Sequence, residues 1–371
     1  MPKIFEIFGY PIDDASFEAN ENRRAAKCPF MGRDCDGGGN RYSSNITIKG
    51  NEALEAFFGN REKVCAGVCS IQTSPETSPW IVCPRRLLVL GREAAGKRVF
   101  QRQTEEQVLQ LLDYEPGTRL GIWPEVKLKY EEEVEGIRKT FDYTFDYILM
   151  PLAHVSLESL EQAIGVSGKR LLPLFQKGGY TIRLQDPEHF IEDCPTGIPN
   201  IIEIMTSSTS GGNKDKGTTI SGAFQDAILG RSHRGPGINY RQVWARMVSQ
   251  LIVKSEVALG WNGKAIWVVQ DVLVDYISRS TGLNVHKFVS EHTSEVNMLS
   301  FSFNEAFRNS AGVIELSNGK LFAGPISHNE INHQPIAPGF QDMVRTPVRP
   351  SLRRLIETLA QRKPVNEVVV P

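Results

Sequence analysis

The chain reads as a mixed α/β protein, a sheet flanked by helices, preceded by a loop-rich N-terminal segment that gathers cysteines. Three observations predict this. From about residue 105 onward, apolar strands alternate with amphipathic helices. Five of the six cysteines fall at or before Cys83, among turn clusters such as DGGG and SPETSP. The composition is globular, 371 residues with 40% hydrophobic and 23% charged, enough to bury roughly three quarters of the unfolded surface. The texture of the chain predicts a cysteine segment over 1–100, an α/β core over 101–300 with a helical insertion at about 152–198, and a basic extension over 301–371.

Each element follows in order. EEQVLQLLDY predicts a helix. VKLKY and KTFDYTFDYILM predict strands, with Phe141, Tyr143, Phe145, Tyr147 and Leu149 alternating on one face. SLESLEQAIGVSGKRLLPLFQK predicts two helices around a Gly165 turn. NIIEIM predicts a buried strand, and the polar SSTSGGNKDKGTT a loop after it. NYRQVWARMVSQLIVKSEVAL predicts a long amphipathic helix with Val243, Met247, Val248, Leu251, Ile252 and Val257 on its apolar side. KAIWVVQDVLVDYI predicts a strand running into a short helix.

The charge balance excludes several classes. Lys+Arg 42 against Asp+Glu 43 gives −1, which is neither a histone-like cation nor an acidic disordered tail. Arg345, Arg349, Arg353, Arg354, Arg362 and Lys363 make the C-terminal part basic, a surface that suits phosphates or plain solvent. No run of about 18 apolar residues offers a membrane span. MPKIFEIFGYPIDD lacks the pattern of a secretory signal, so the expected location is the cytoplasm. There, thiols serve as ligands or packing rather than bridges.

Cys28, Cys35, Cys65, Cys69 and Cys83 lie in Gly- and Pro-rich loops without apolar periodicity, a pattern that suits a structural metal site of four thiolates. Five cysteines compete for four places, with Cys35 and Cys65 the open members; Cys194 stands apart as packing. Asp146 and Glu203 are charges inside apolar strands, FDYILM and IIEIM, where burial of a carboxylate needs a cation or donors. Two convergent carboxylates suit Mg²⁺ and phosphodiester hydrolysis. Asp142 shares the face of Asp146 and competes with it. Position 205, two beyond Glu203 and on its face, is Met205, which carries no charge. Gln250 and Lys254 are one helical turn apart. Ser167 opens a helix bearing Lys169 and Arg170, a helix-turn-helix-like pattern that also fits a packed helical hairpin. His328, Asn329 and His333 faintly suggest another nuclease motif but lack its further histidine, and His233 reads as a basic loop residue.

Taken together, IFEIFGYP, KCPF, GVCS with Gln72-Thr73 after it, and WIVCPRR resemble the metal-binding segment of the NotI-like type II restriction endonucleases, which cut GC-rich palindromic DNA. FDYIL, IEIMT, the helix with Gln250 and Lys254, and WVVQDVLVDY are similar in the same order. The resemblance spans about residues 3–90 and 140–280, and its cysteine motifs are the most specific part. It implies a PD-(D/E)xK nuclease core, a homodimer, and Mg²⁺-dependent double-strand cleavage of a specific site that a cognate DNA methyltransferase also modifies. It implies iron, or zinc, on Cys28, Cys35, Cys69 and Cys83, and catalysis with Mg²⁺ binding by Asp146 and Glu203. Two departures stand out: Met205 in place of a polar residue, and the long stretch between Asp146 and Glu203. Lys254 or Gln250 is therefore expected to reach the scissile phosphate, while Arg85, Arg86, Lys169 and Arg170 are expected to hold DNA. A repair nuclease on the same core, and a DNA-binding protein that has lost cleavage, are the other expectations.

Overall fold

The computed structural model describes residues 1–38, 45–91, 99–185, 187–210, 212, 218–303, 312–326 and 348–371. The chain opens with β1 (Lys3–Ile7) and β2 (Tyr10–Pro11), joined by a tight turn at Phe8 and Gly9. Gly9 has φ +81, and a Cβ there would meet Pro29 Cγ at 2.3 Å, so glycine lets this turn press onto the Cys28–Pro29 loop. Then come α1 (Phe17–Arg24), the small hairpin of β3 (Lys27–Cys28) and β4 (Arg33–Asp34), and β5 (Asn45–Thr47). α2 (Glu52–Phe58), β6 (Lys63–Cys65), β7 (Val68–Gln72), β8 (Trp80–Ile81) and the short α3 (Pro84–Leu87) complete this segment. β1, β2, β7 and β8 form one small sheet in the order β2-β1-β7-β8.

The core begins with α4 (Val99–Gln110) and a long hairpin of β9 (Arg119–Val134) and β10 (Ile137–Ser156). α5 (Leu157–Ile164) and α6 (Gly168–Lys177) follow, turning at Gly165 with φ +65. β11 (Ile182–Gln185) and β12 (Glu188–Pro195) return to β10 as a second hairpin. The insertion at 152–198 is thus half helical and half strand. β13 (Asn200–Ile204), α7 (Ile220–Ile228), the long α8 (Tyr240–Gly260), β14 (Ala265–Gln270), α9 (Asp271–Ser280) and β15 (Val296–Phe301) come next. β16 (Lys320–Gly324), α10 (Leu352–Leu359) and β17 (Asn366–Val369) close the chain.

Among the described residues the main sheet runs β11-β12-β10-β13-β14-β15-β16, with β9 on the other edge of β10 and β17 on β9. β13, β14 and β15 are parallel, with helices as crossovers; the other pairings are antiparallel. The architecture is a mixed sheet flanked by helices. On one face, Ile202, Ile204, Ile266, Val268 and Leu299 pack against Val108 and Leu109 of α4 and against Ile81, Leu87 and Leu88 of the N-terminal segment. On the other, Ile148, Ile201 and Ala265 meet Val253 and Val257 of α8 and Leu355 and Leu359 of α10.

Two expectations are corrected here. The residues beyond 301 are not an appended extension, because β16 and β17 are strands of the main sheet and α10 is buried on it. Phe141 to Leu149 do not share one face. Phe141 and Phe145 pack with Ile148 and Met150 in one core, whereas Tyr147 and Leu149 pack in the other. The alternation changes phase at Asp146, and on the partner strand at Glu125, where the ladder skips a pair and Glu125 takes φ +48.

Candidate active site

The phase change sets up the pair of acids. β10 and β13 pair through Tyr147–Ile202, Ile148–Ile201 and Leu149–Asn200. One step further in that register, Asp146 stands opposite Glu203. Here side chains take over from the main chain: the Asp146 amide donates to Glu203 Oε1 at 3.2 Å, and the Ile204 amide donates to Asp146 Oδ2 at 3.0 Å. Each acid is oriented by the other's strand. Glu203 is buried at 2% exposure, and Asp146 is half-buried. Asp142, the competing position, is exposed and paired with Lys127 at 3.3 Å.

Lys254 of α8 completes the arrangement. Its Nζ donates to Glu203 Oε2 at 2.6 Å and to the Thr144 carbonyl at 2.8 Å, beneath the rings of Phe145 and Trp267. It is 2% exposed, so it is no solvent-seeking helix lysine. Burial pushes the Glu203 carboxyl up to about 8; Lys254 pulls against that rise, and the charge of Asp146 adds to it. A small cleft of about 20 Å³, room for one ion or water, opens beside the acids. Asp146, Glu203, Thr206, Ser208, Arg246 and Gln250 line it. Gln250, one helical turn from Lys254, lines the same cleft as the acids. Thr206, Ser208 and Arg246 were missed, although Arg246 lies one further turn along the face of Gln250 and Lys254.

Cys28, Cys69 and Cys83 share one buried cluster, with Cys35 packed against it. The β3–β4 hairpin presents Cys28 and Cys35, β7 presents Cys69, and the start of α3 presents Cys83. The Gly9 amide donates to Cys69 Sγ at 3.3 Å, and the Gly37 amide to Cys35 Sγ at 3.4 Å. Cys69 donates to Cys83, which raises the first thiol and lowers the second. Burial, then Cys83, pushes Cys28 up to about 12, and Cys35 is raised by the same causes. Cys65 lies outside the cluster, its thiol toward Asn45, and Cys194 is packed near Leu171 and Phe175. Among the described residues, no group of three or more His, Cys, Asp or Glu stands in an arrangement that could hold a metal ion.

The cysteine segment is bonded to the acidic site. The Ser207 amide donates to the Ile81 carbonyl at 3.0 Å and Thr206 Oγ1 to the Val82 carbonyl at 3.4 Å, just before Cys83. Gln270 grips the same segment, accepting from the Ile81 amide and donating to the Pro79 carbonyl, each at 2.7 Å. Arg85 Nη1 donates to the hydroxyl of Tyr147, the neighbour of Asp146, at 3.0 Å.

One expected DNA contact is corrected, and two other expected arginines already have partners. Arg86 is fully buried, its Nε on both oxygens of Glu6 at 3.1 Å and its Nη2 on the Ile314 carbonyl at 2.7 Å. It is an internal strut and does not meet a phosphate. Arg85 is occupied by Tyr147 and by Asp36 at 3.3 Å. Lys169 is exposed at the start of α6, but Arg170 pairs with Glu357 at 3.0 Å, which ties α6 to α10. Arg353 and Arg354 also converge on Glu357, Arg349 pairs with Glu256 at 3.5 Å, and Arg362 bonds the Pro124 carbonyl. His233 accepts from the Ile4 amide at 3.2 Å. Arg345, His328, Asn329 and His333 lie outside the described residues. No helix among the described residues is long and apolar enough to cross a membrane. No protein-family model, curated protein or solved structure matches the chain.

Proposed function

We propose that the chain is a Mg²⁺-dependent type II restriction endonuclease with a PD-(D/E)xK core, cutting double-stranded DNA at a specific, palindromic GC-rich site. One observation carries this reading: Asp146 and Glu203, 57 residues apart in sequence, face each other across β10 and β13, with Lys254 on Glu203. The residues fit the ion. Mg²⁺ is held by one or two carboxylates and keeps several waters, and the cleft beside the acids has room for one ion. When bound there, Mg²⁺ supplies Lewis acidity that offsets charge developing on the phosphodiester.

The chain's own groups do the rest. Lys254 compensates the buried charge of Glu203 and holds the carboxylate in one orientation. Asp146, more open to solvent, presents its carboxylate to the cleft. Water attacks phosphorus in line, the bond to the 3′ oxygen breaks, and a 5′ phosphate is left. Met205 alone would favour a DNA-binding protein that has lost cleavage. Lys254 weighs against that reading, because a lysine does reach the glutamate, from α8 instead of from β13. In this reading two subunits about a two-fold axis each cut one strand, and a cognate methyltransferase protects the same site.

The four clustered thiols are the proposed iron or zinc ligands. Their donor chemistry fits a tetrahedral ion, although the free thiols do not stand in its closed arrangement. Such an ion is structural, since four protein ligands leave no open position.

Purified protein incubated with plasmid and Mg²⁺ tests the function. Discrete fragments support the proposal. A smear favours a general or repair nuclease, and a gel shift without cutting favours the binding protein.

A further inference from the structure

We infer that Arg246 binds a phosphate of the DNA backbone beside the scissile bond, and that Lys254 does not contact it. The inference rests on the nuclease reading and names a substrate-positioning residue for it. Arg246, Gln250 and Lys254 are spaced four apart on α8, so their side chains rise from one face of the helix. Along that face they differ in what is left for a ligand. Lys254 is buried and bonded twice, to Glu203 and to Thr144. Drawing it toward a phosphate would strand the buried Glu203 charge.

Arg246 sits two turns nearer the open end, half-buried, with the cleft as its neighbour. Among the described residues no carboxylate pairs with it, whereas Arg24, Arg61, Arg119 and Arg349 all have one. Ser208 adds a hydroxyl to the same cleft, whereas that of Thr206 is given to the Val82 carbonyl. A planar guanidinium with a serine hydroxyl beside it is a donor set that grips phosphodiester oxygens.

The position is fixed relative to the acids. Asn239 caps α8 through the Gln242 amide at 3.2 Å, and its own amide donates to the Ser208 carbonyl at 2.8 Å. The Ser210 amide donates to the Gly237 carbonyl at 2.8 Å. The segment leaving Glu203 is therefore stitched to the start of the helix that carries Arg246. Glu203 is balanced by Lys254, so Asp146 faces the cation and Arg246 faces the anion.

The test uses the full-length chain, with a plasmid the wild type cuts and a duplex spanning the cut. Duplex binding is measured in Ca²⁺, across a range of salt concentrations, alongside single-turnover cleavage in Mg²⁺. R246Q is expected to flatten the plot of log affinity against log salt by about 0.9, the loss of one phosphate contact. It is also expected to weaken binding about tenfold on cut-site and unrelated duplexes alike. R246K, which keeps the charge but loses the fork, is expected to restore the salt slope while cleaving more slowly than wild type. R246Q with an unchanged slope and rate overturns the inference, and so does R246K cleaving at the wild-type rate. A wild type that cuts no DNA overturns the nuclease reading itself, before any variant is made.

Discussion

Lys254 shows how a single side chain can be misread from its neighbours. It lies between Val253 and Val257 on a helix, where a lysine ordinarily runs its stem along the core and lifts its charge into water. Its burial depends on a carboxylate 51 residues earlier, and no local spacing discloses that partner. Asp146 and Glu203 stood out as charges inside apolar strands, which demand compensation, but the resemblance alone set Asp146 above Asp142. Replacing Lys254 by Met should abolish cleavage, and it should destabilise the fold most above about pH 8, where the Glu203 carboxylate would be left charged and unpaired. Single-turnover assays and urea unfolding check the two effects. The raised Glu203 carboxyl gives a second expectation. Its folded value, about 8, lies above the ordinary carboxylate range, so the unfolded chain gives up this proton first as pH rises. Relative to E203Q, the metal-free wild type should lose stability from about pH 4.5 to about 8, by at most about 1.4 kcal/mol per pH unit, and then level off. Unfolding of both proteins at pH 6 and pH 9 measures this; an equal difference at both pH values would count against it. Since a cation competes with that proton, Mg²⁺ should also bind more tightly as pH rises across the same range.

Among the elements, the strands and the long helix of the core were readable from periodicity, and the phase change within β10 was not. Two-residue alternation puts Phe145 and Tyr147 on one face; the skipped pair at Glu125 and Asp146 puts them on opposite faces. That break needs both strands at once, so neither strand's own pattern reveals it. The last elements were misjudged for a different reason. The arginines of α10 are conspicuous, but Leu355, Ile356 and Leu359 form a stripe that buries the helix on the sheet. Leu359→Ala should therefore cost about 2–5 kcal/mol in urea unfolding, the range for a truncated core leucine. A change near zero would mean that this helix is a mere appendage.

At the scale of the whole molecule, the cysteine segment and the sheet share one core, and the cysteines that gather are those the resemblance picked out. Metal analysis of the purified protein should find about one iron or zinc per chain; visible absorption, which zinc lacks, tells them apart. Cys69→Ser should lose the ion and lower the melting temperature. A variant that keeps full metal content would remove Cys69 from the ligand set. The resemblance set Cys35 above Cys65; in space the β3–β4 hairpin packs Cys35 against Cys28, and Cys65 lies outside the cluster.

The bonds from Ile81 and Val82 to Ser207 and Thr206 join stretches more than a hundred residues apart. A ribosome finishes the N-terminal stretch well before its docking partner exists. Neither half can then be transplanted as a module. An excised front piece would expose Ile81, Leu87 and Leu88, and a shortened back piece would leave the strand after Glu203 with no surface to lean on.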